Sequence, residues 1–136
     1  MNFNIEEKIA SVEDYQKLRS KVGWHNHDRN AVEDGLKASI FFVCAVMDEE
    51  IIGIGRVVGD GNIYFYIQDV IVSPEHQGKG IGVKIIDYLN QLILTKAVPG
   101  AFVGLMAAEG LVPLYEKFGF KTRSSDKPGM EKWIYA

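Results

Sequence analysis

Val70-Ile71-Val72-Ser73-Pro74-Glu75-His76-Gln77-Gly78-Lys79-Gly80-Ile81-Gly82 passes from an apolar strand through a glycine-rich turn into the start of a helix. Across it the hydrophobic period changes from two to about 3.6. Beyond Gly80, residues Ile81, Ile85, Ile86, Leu89, Leu92 and Ile93 form one apolar stripe, while Lys84, Asp87, Gln91 and Thr95 face away. Pro99-Gly100 closes the segment. The opening turn of such a helix carries free N–H groups and the positive end of the helix dipole. Glycines let a phosphate approach that backbone without meeting a Cβ. Lys79 can add charge at the rim, and Gln77 a side-chain donor. Other phosphate motifs fit badly. Counting Gly-x-Gly-x-x-Gly from Gly78 puts Val83 in the last position, and Gly78-Lys79 has no Ser or Thr after it as a P-loop requires. The alternative is a glycine-rich helix entry that holds no ligand.

Upstream lie three strand-like runs joined by polar turns. Residues 40–47 are apolar nearly throughout, and Asp48-Glu49-Glu50 turns the chain. Residues 51–58 return, and Gly59-Asp60-Gly61-Asn62 turns it again into a long strand over 63–72. Short turns between β-rich runs predict an antiparallel meander. Residues 3–9 predict a first strand. Ser11 then caps a helix carrying Val12, Tyr15, Leu18 and Val22, with Gly23 as its stop. The loop Trp24-His25-Asn26-His27 leads to a short helix over about 28–37, with Ala31, Val32, Gly35 and Leu36 on one face.

Downstream, residues 101–106 predict a fifth, buried strand, reached from the helix by a right-handed crossover. Leu111, Leu114, Tyr115 and Phe118 fall at i, i+3, i+4 and i+7 of a last helix stopped by Gly119. Pro113 is tolerated only near a helix start, which places that start close to Leu111. Two short closing strands are expected near 120–123 and 131–135. The reading is an α+β fold in a single domain over residues 1–136. Its central sheet is mixed and mostly antiparallel, with about six to seven strands and about four helices.

Hydrophobic residues make up 47% of the 136 and charged residues 24%, which suits one packed core. Lys and Arg total 15 against 18 Asp and Glu. That mild acidic excess argues against a nucleic-acid partner and leaves room for a cationic one. No stretch is long and apolar enough to span a bilayer, and residues 1–7 lack the basic start and apolar core of a signal peptide. A cytoplasmic location with no membrane partner is expected. Cys44 is the single cysteine and lies in an apolar strand-like run, so it reads as core packing.

Two motifs carry a resemblance. Gln77-x-x-Gly80-x-Gly82 is similar to the coenzyme signature of the GCN5-related N-acetyltransferases (GNAT), and Leu114-Tyr115-Glu116-Lys117-Phe118-Gly119-Phe120 to that family's second block. Asp69-Val70-Ile71-Val72 with Pro74, Gln77, Gly78 and Gly80, and Gly129-Met130-x-x-Trp133, resemble small serotonin/arylalkylamine-type, plastid and unassigned bacterial members. Many relatives have Asn where this chain has Ala108, seven residues before Tyr115. The departure concerns one contact to the coenzyme's pantetheine.

The resemblance implies the GNAT fold and direct transfer of acetyl from acetyl-CoA to an amine, with both substrates bound and no metal. It places the oxyanion donor on the backbone of Val70 or Ile71. Backbone groups of Val72, Gln77, Gly78, Lys79, Gly80, Ile81, Gly82 and Val83 would hold pantetheine and pyrophosphate. Tyr115 matches the family's usual general acid for the departing thiolate; the other reading is a core residue at helical spacing. Asp69, among apolar strand neighbours, is a candidate base for the incoming ammonium. It could equally be a structural hydrogen-bonder, with water removing the proton. Strict alternation puts Asp69 with Ile67 and Ile71, opposite Tyr64, Tyr66 and Gln68, unless a bulge intervenes.

Trp24, His25, Tyr64 and Tyr66 are candidate acceptor contacts, their aromatic faces suited to a cationic or aryl amine. Each could instead be ordinary packing or surface. His25-x-His27-Asp28 supplies too few ligands for a metal, and His76 reads as a solvent-facing loop residue. The expected partner is a small-molecule amine, with a protein amine or a non-catalytic acyl-CoA-binding module as alternatives. A homodimer is compatible with the family.

Overall fold

The computed structural model describes residues 2–134. In chain order the elements are β1 (Asn4–Glu7), α1 (Val12–Lys21), α2 (Arg29–Lys37), β2 (Phe41–Met47), β3 (Glu50–Gly59), β4 (Tyr64–Val72), a 3₁₀ turn (Pro74–His76), α3 (Ile81–Leu94), β5 (Phe102–Gly104) and α4 (Val112–Glu116). The packing separates residues up to Met106 from those beginning at Ala107 as two compact units.

In the first unit the sheet order follows the chain, β1-β2-β3-β4-β5. The first four strands pair antiparallel, and β5 joins β4 parallel after the α3 crossover. Caps fall where the sequence puts them. Ser11 accepts from the Asp14 N–H at the start of α1, and Asp28 from the Ala31 N–H at the start of α2. α1 and α2 bury Val12, Tyr15, Leu18, Val32 and Leu36 in a cluster that also holds Phe42, Cys44, Ile54 and Ile71. Cys44 is fully buried, and burial pushes its thiol up to about 12.

On the sheet's other side α3 presses against β3, and glycines make the approach possible. A Cβ on Gly55 would lie 2.6 Å from Ile85 Cγ2 and 3.0 Å from Leu89 Cδ1. Gly55→Val is therefore expected to cost about 1–3 kcal/mol through overpacking. A lower urea midpoint with an unchanged slope would show it. The β2–β3 turn offers the opposite case. Asp48 and Glu49 both have left-handed φ, 50° and 66°, a geometry that glycine takes without strain. Glu49→Gly is expected to raise stability by about 0.5 kcal/mol, the relieved strain exceeding the added chain entropy.

Three expectations are corrected. The sheet has five strands among the described residues, not six to seven. Residues 120–123 and 131–134 form no strand, and Tyr135 lies outside the described residues. A strand draws its stability from a paired neighbour and a buried face, whereas residues 121–134 are exposed throughout. β5 is also shorter than 101–106 and not buried. Among the described residues it is an edge strand, with Phe102 44% exposed.

Candidate active site

The glycine-rich turn has the geometry expected of an anion cradle. Gly78 and Gly80 are left-handed, at φ 78° and 82°, and a Cβ on either would meet nothing within 4 Å. Gly80 begins the fourteen-residue α3, and no side chain caps it. The first backbone bond of the helix runs from Lys84 N–H to Gly80 C=O. The N–H groups of Ile81, Gly82 and Val83 thus have no helical acceptor, and the neighbouring Lys79 is exposed.

Gln77 Nε2 donates to the Val72 carbonyl at 2.9 Å, closing the turn from within; the amide carries a second N–H, and the side chain is exposed. Lys21 braces the same turn from α1, donating to Ser73 Oγ at 3.3 Å and to Glu75 at 2.9 Å. The ammonium holds the Glu75 carboxyl down to about 2. His76, expected in solvent, is half-buried, and its Nδ1 is shut from water with no partner among the described residues. The 3₁₀ turn causes this by curling His76 N–H back onto Ser73 C=O at 2.8 Å.

The strand leading into the turn carries a bulge. Ile54 opposes Ile71 and Arg56 opposes Gln68, so Asp69 and Val70 together face only Gly55. Asp69 takes the left-handed φ of 56°, a conformation that costs a non-glycine residue about 1–3 kcal/mol. The bulge also breaks strict alternation. Gln68 Nε2 donates to Asp69 Oδ1 at 3.2 Å, so these two neighbours share a side. By the pleat Tyr64 and Tyr66 lie there too, and Ile67 does not. β5 pairs only with residues 64–66, leaving the later half of β4 an edge that no strand covers among the described residues.

Asp69 is 4% exposed, and four donors converge on its carboxylate. Tyr15 Oη donates to Oδ2 at 2.6 Å and Arg56 Nε to the same oxygen at 2.9 Å. Arg19 Nη1 donates to Oδ1 at 3.3 Å, beside Gln68. A carboxylate has about four lone-pair sites, and here each has a donor. Burial first, then the bond to Asp69, pushes the Tyr15 phenol up to about 12. This is the arrangement of an anchor. The candidate base of the sequence would have to surrender a buried partner before it could take a proton from an amine.

Arg19 extends the anchor into the loop after α1. Its Nε donates to His25 C=O at 3.0 Å, and its guanidinium lies 5.3 Å from the Trp24 ring and 5.7 Å from the Tyr15 ring. His25 and His27 meet edge to face at 4.7 Å. Partial burial, then the Arg19 charge, pushes the His27 imidazole below its usual range. Trp24 and His25 are thereby tied to the strand that carries Tyr64, Tyr66 and Asp69. Tyr64 is 57% exposed and tilts against Phe102. The Tyr66 hydroxyl is buried without a hydrogen-bond partner among the described residues, and burial raises its pKa.

In the second unit, Tyr115 lies in α4, 7% exposed, with its ring edge-on to Phe120 at 6.0 Å. Burial raises its pKa above the ordinary 10.0.

Tyr15, Arg19 and Arg56 were not among the residues singled out by motif. A signal was present. Arg56 is the one charge in the apolar run 51–58, as Asp69 is in the run 63–72, and lone charges in buried strands need partners.

A family model for the acetyltransferase (GNAT) domain matches residues 27–135. A crystal structure from meticillin-resistant Staphylococcus aureus, of a "Probable Acetyltransferase", superimposes with a TM-score of 0.91 at 33% identity, covering 98% of this chain and all of that one. An uncharacterized N-acetyltransferase of Pyropia yezoensis is 26% identical over 83% of this chain and 66% of its own length. Thialysine N-epsilon-acetyltransferase of Bos taurus is 32% identical over 68% of this chain and 62% of its own. The chain thus spans somewhat under two thirds of the length of these two curated relatives.

Proposed function

The chain belongs to the GNAT acetyltransferase family, and from that premise we propose that it transfers an acetyl group from acetyl-CoA to a primary amine, a small aryl or alkyl amine being favoured. The observation that carries this reading is the uncapped start of α3 behind two open left-handed glycines, at the end of a bulged strand with a free edge.

In this reading the N–H groups of Ile81, Gly82 and Val83 bind the pyrophosphate, with Lys79 adding charge from outside. The backbone of Val70, Ile71 and Val72 receives the pantetheine arm and thioester. The bulge sets two residues, Asp69 and Val70, against the single Gly55, so one of them is surplus to the ladder, and a Val70 N–H outside the ladder would suit a developing oxyanion. Tyr115, kept protonated by burial, supplies the proton to the departing thiolate. Water, rather than Asp69, takes the proton from the ammonium. Tyr66 offers its hydroxyl, without a partner among the described residues, to the acceptor, and Trp24 and His25, held through Arg19, form one side of the pocket's wall.

The test is thiol release from acetyl-CoA across aryl amines, polyamines, aminosugars and a lysine peptide, with coenzyme affinity measured by calorimetry. Turnover of a small amine is expected. Turnover of the peptide alone would move the acceptor to protein, and tight binding without turnover would leave a coenzyme-binding module.

A further inference from the structure

Asp69 stands in the left-handed backbone region, uncommon outside glycine, where β4 departs from its ladder with β3. Its carboxylate also collects contacts from distant parts of the first unit. Tyr15 and Arg19 come from α1, Arg56 from β3 and Gln68 from β4. Both arginines reach further. Arg19 Nε holds the His25 carbonyl, and Arg56 Nη1 holds the Gly35 carbonyl at 3.2 Å and Ser39 Oγ at 3.1 Å, at the end of α2.

An apolar cluster would fill this space with less desolvation, because removing ions from water is costly even when they are paired. The neighbouring core is apolar in this way, built from Val, Ile, Leu and Phe. What the charged cluster adds is direction. Each donor fixes a distance to one carboxylate, whereas apolar contacts slide. The two guanidiniums also bring one more positive charge than Asp69 neutralises, and both are largely buried, at 6% and 16% side-chain exposure.

We propose that Tyr15, Arg19 and Arg56 are positioning residues for acetyl transfer, acting through the Asp69 carboxylate to hold the β4 bulge and the 24–28 loop in one mutual arrangement. None of them touches the reacting atoms. The bulge sets the direction of the Val70 N–H, and the loop sets where Trp24 and His25 stand. Both must hold while the amine attacks, and small misplacements in such geometry have large effects on rate. The proposal rests on the acetyl-transfer reading above.

The test compares Tyr15→Phe, Asp69→Asn, Arg56→Met and Arg56→Lys, each assayed well below its melting temperature. Asn tolerates left-handed φ but keeps only one acceptor oxygen and sets an NH2 against the donors of the other, so Asp69→Asn removes the shared acceptor without straining the bulge. For Asp69→Asn and Arg56→Met, kcat is expected to fall about tenfold with coenzyme affinity within about twofold of wild type, as suits a displaced donor rather than a lost coenzyme site. The pH profile of kcat should keep its shape, and Arg56→Lys should recover part of the loss. Amide hydrogen exchange of Tyr15→Phe needs no turnover. It should quicken about tenfold in 67–72 and 24–28 and stay unchanged in β2 and α3.

Wild-type kcat and exchange in Tyr15→Phe and Asp69→Asn would overturn the proposal. Loss of the acid limb of the pH profile in Asp69→Asn would overturn it differently, by making Asp69 the base. If the wild-type protein acetylates no amine, the acetyl-transfer reading fails, and the exchange pattern alone supports or overturns the shared arrangement of bulge and loop.

Discussion

Gly80→Glu is expected to weaken acetyl-CoA binding about a thousandfold or more. Gly80 stands at the entrance to α3 with φ 82°, open space in front and no side-chain cap behind. A glutamate there brings a negative charge to the proposed pyrophosphate site. At an effective dielectric constant near 20, one charge pair about 4 Å apart costs about 4 kcal/mol, close to three powers of ten in affinity. The new carboxylate would also accept from the free N–H groups that the phosphates need. Gly80→Ala separates charge from backbone strain. It meets no atom within 4 Å but carries the left-handed penalty of about 1–2 kcal/mol, so a loss of about tenfold is expected. Calorimetry reads both. Wild-type affinity in Gly80→Glu would place the pyrophosphate elsewhere.

Tyr115→Phe is expected to lower kcat about a hundredfold, the lower range for loss of a positioned general acid, with coenzyme affinity near wild type. Phenylalanine keeps the edge-on contact with Phe120, so the melting temperature should change little. The pH behaviour follows from the sign of the shift. Burial raises the Tyr115 phenol above 10.0, so the acid form predominates at all lower pH. Wild-type kcat should then show no alkaline fall from this group near neutral pH. Unchanged turnover in Tyr115→Phe would give the proton to water and leave Tyr115 as a core residue.

Much of this architecture is legible in short stretches of chain. Ser11 and Asp28 cap their helices where a short polar side chain precedes an apolar period, because a cap needs only residues three positions apart. The glycine turn is legible for the same reason. Left-handed φ at Gly78 and Gly80 is a property of those residues and their neighbours. The closing strands were misread because a strand is not local. Exposed Met130 and Ile134 show that apolar character alone does not give a segment a partner.

Asp69 marks the boundary between the two kinds of knowledge. Sequence showed a carboxylate in an apolar strand beside the presumed thioester, and burial alone would make such a group a base. Three of its four partners stand 54, 50 and 13 positions away, at Tyr15, Arg19 and Arg56. Local pattern carries the order of elements up to α4, the caps, the α3 stripe and the glycine-rich turn, because these depend on interactions within a few residues. Tertiary structure alone decides that β5 is an edge among the described residues, that β4 bulges at Asp69 and that four donors meet at this carboxylate. Each of those depends on which distant groups arrive, and nothing within a few residues of Asp69 specifies them.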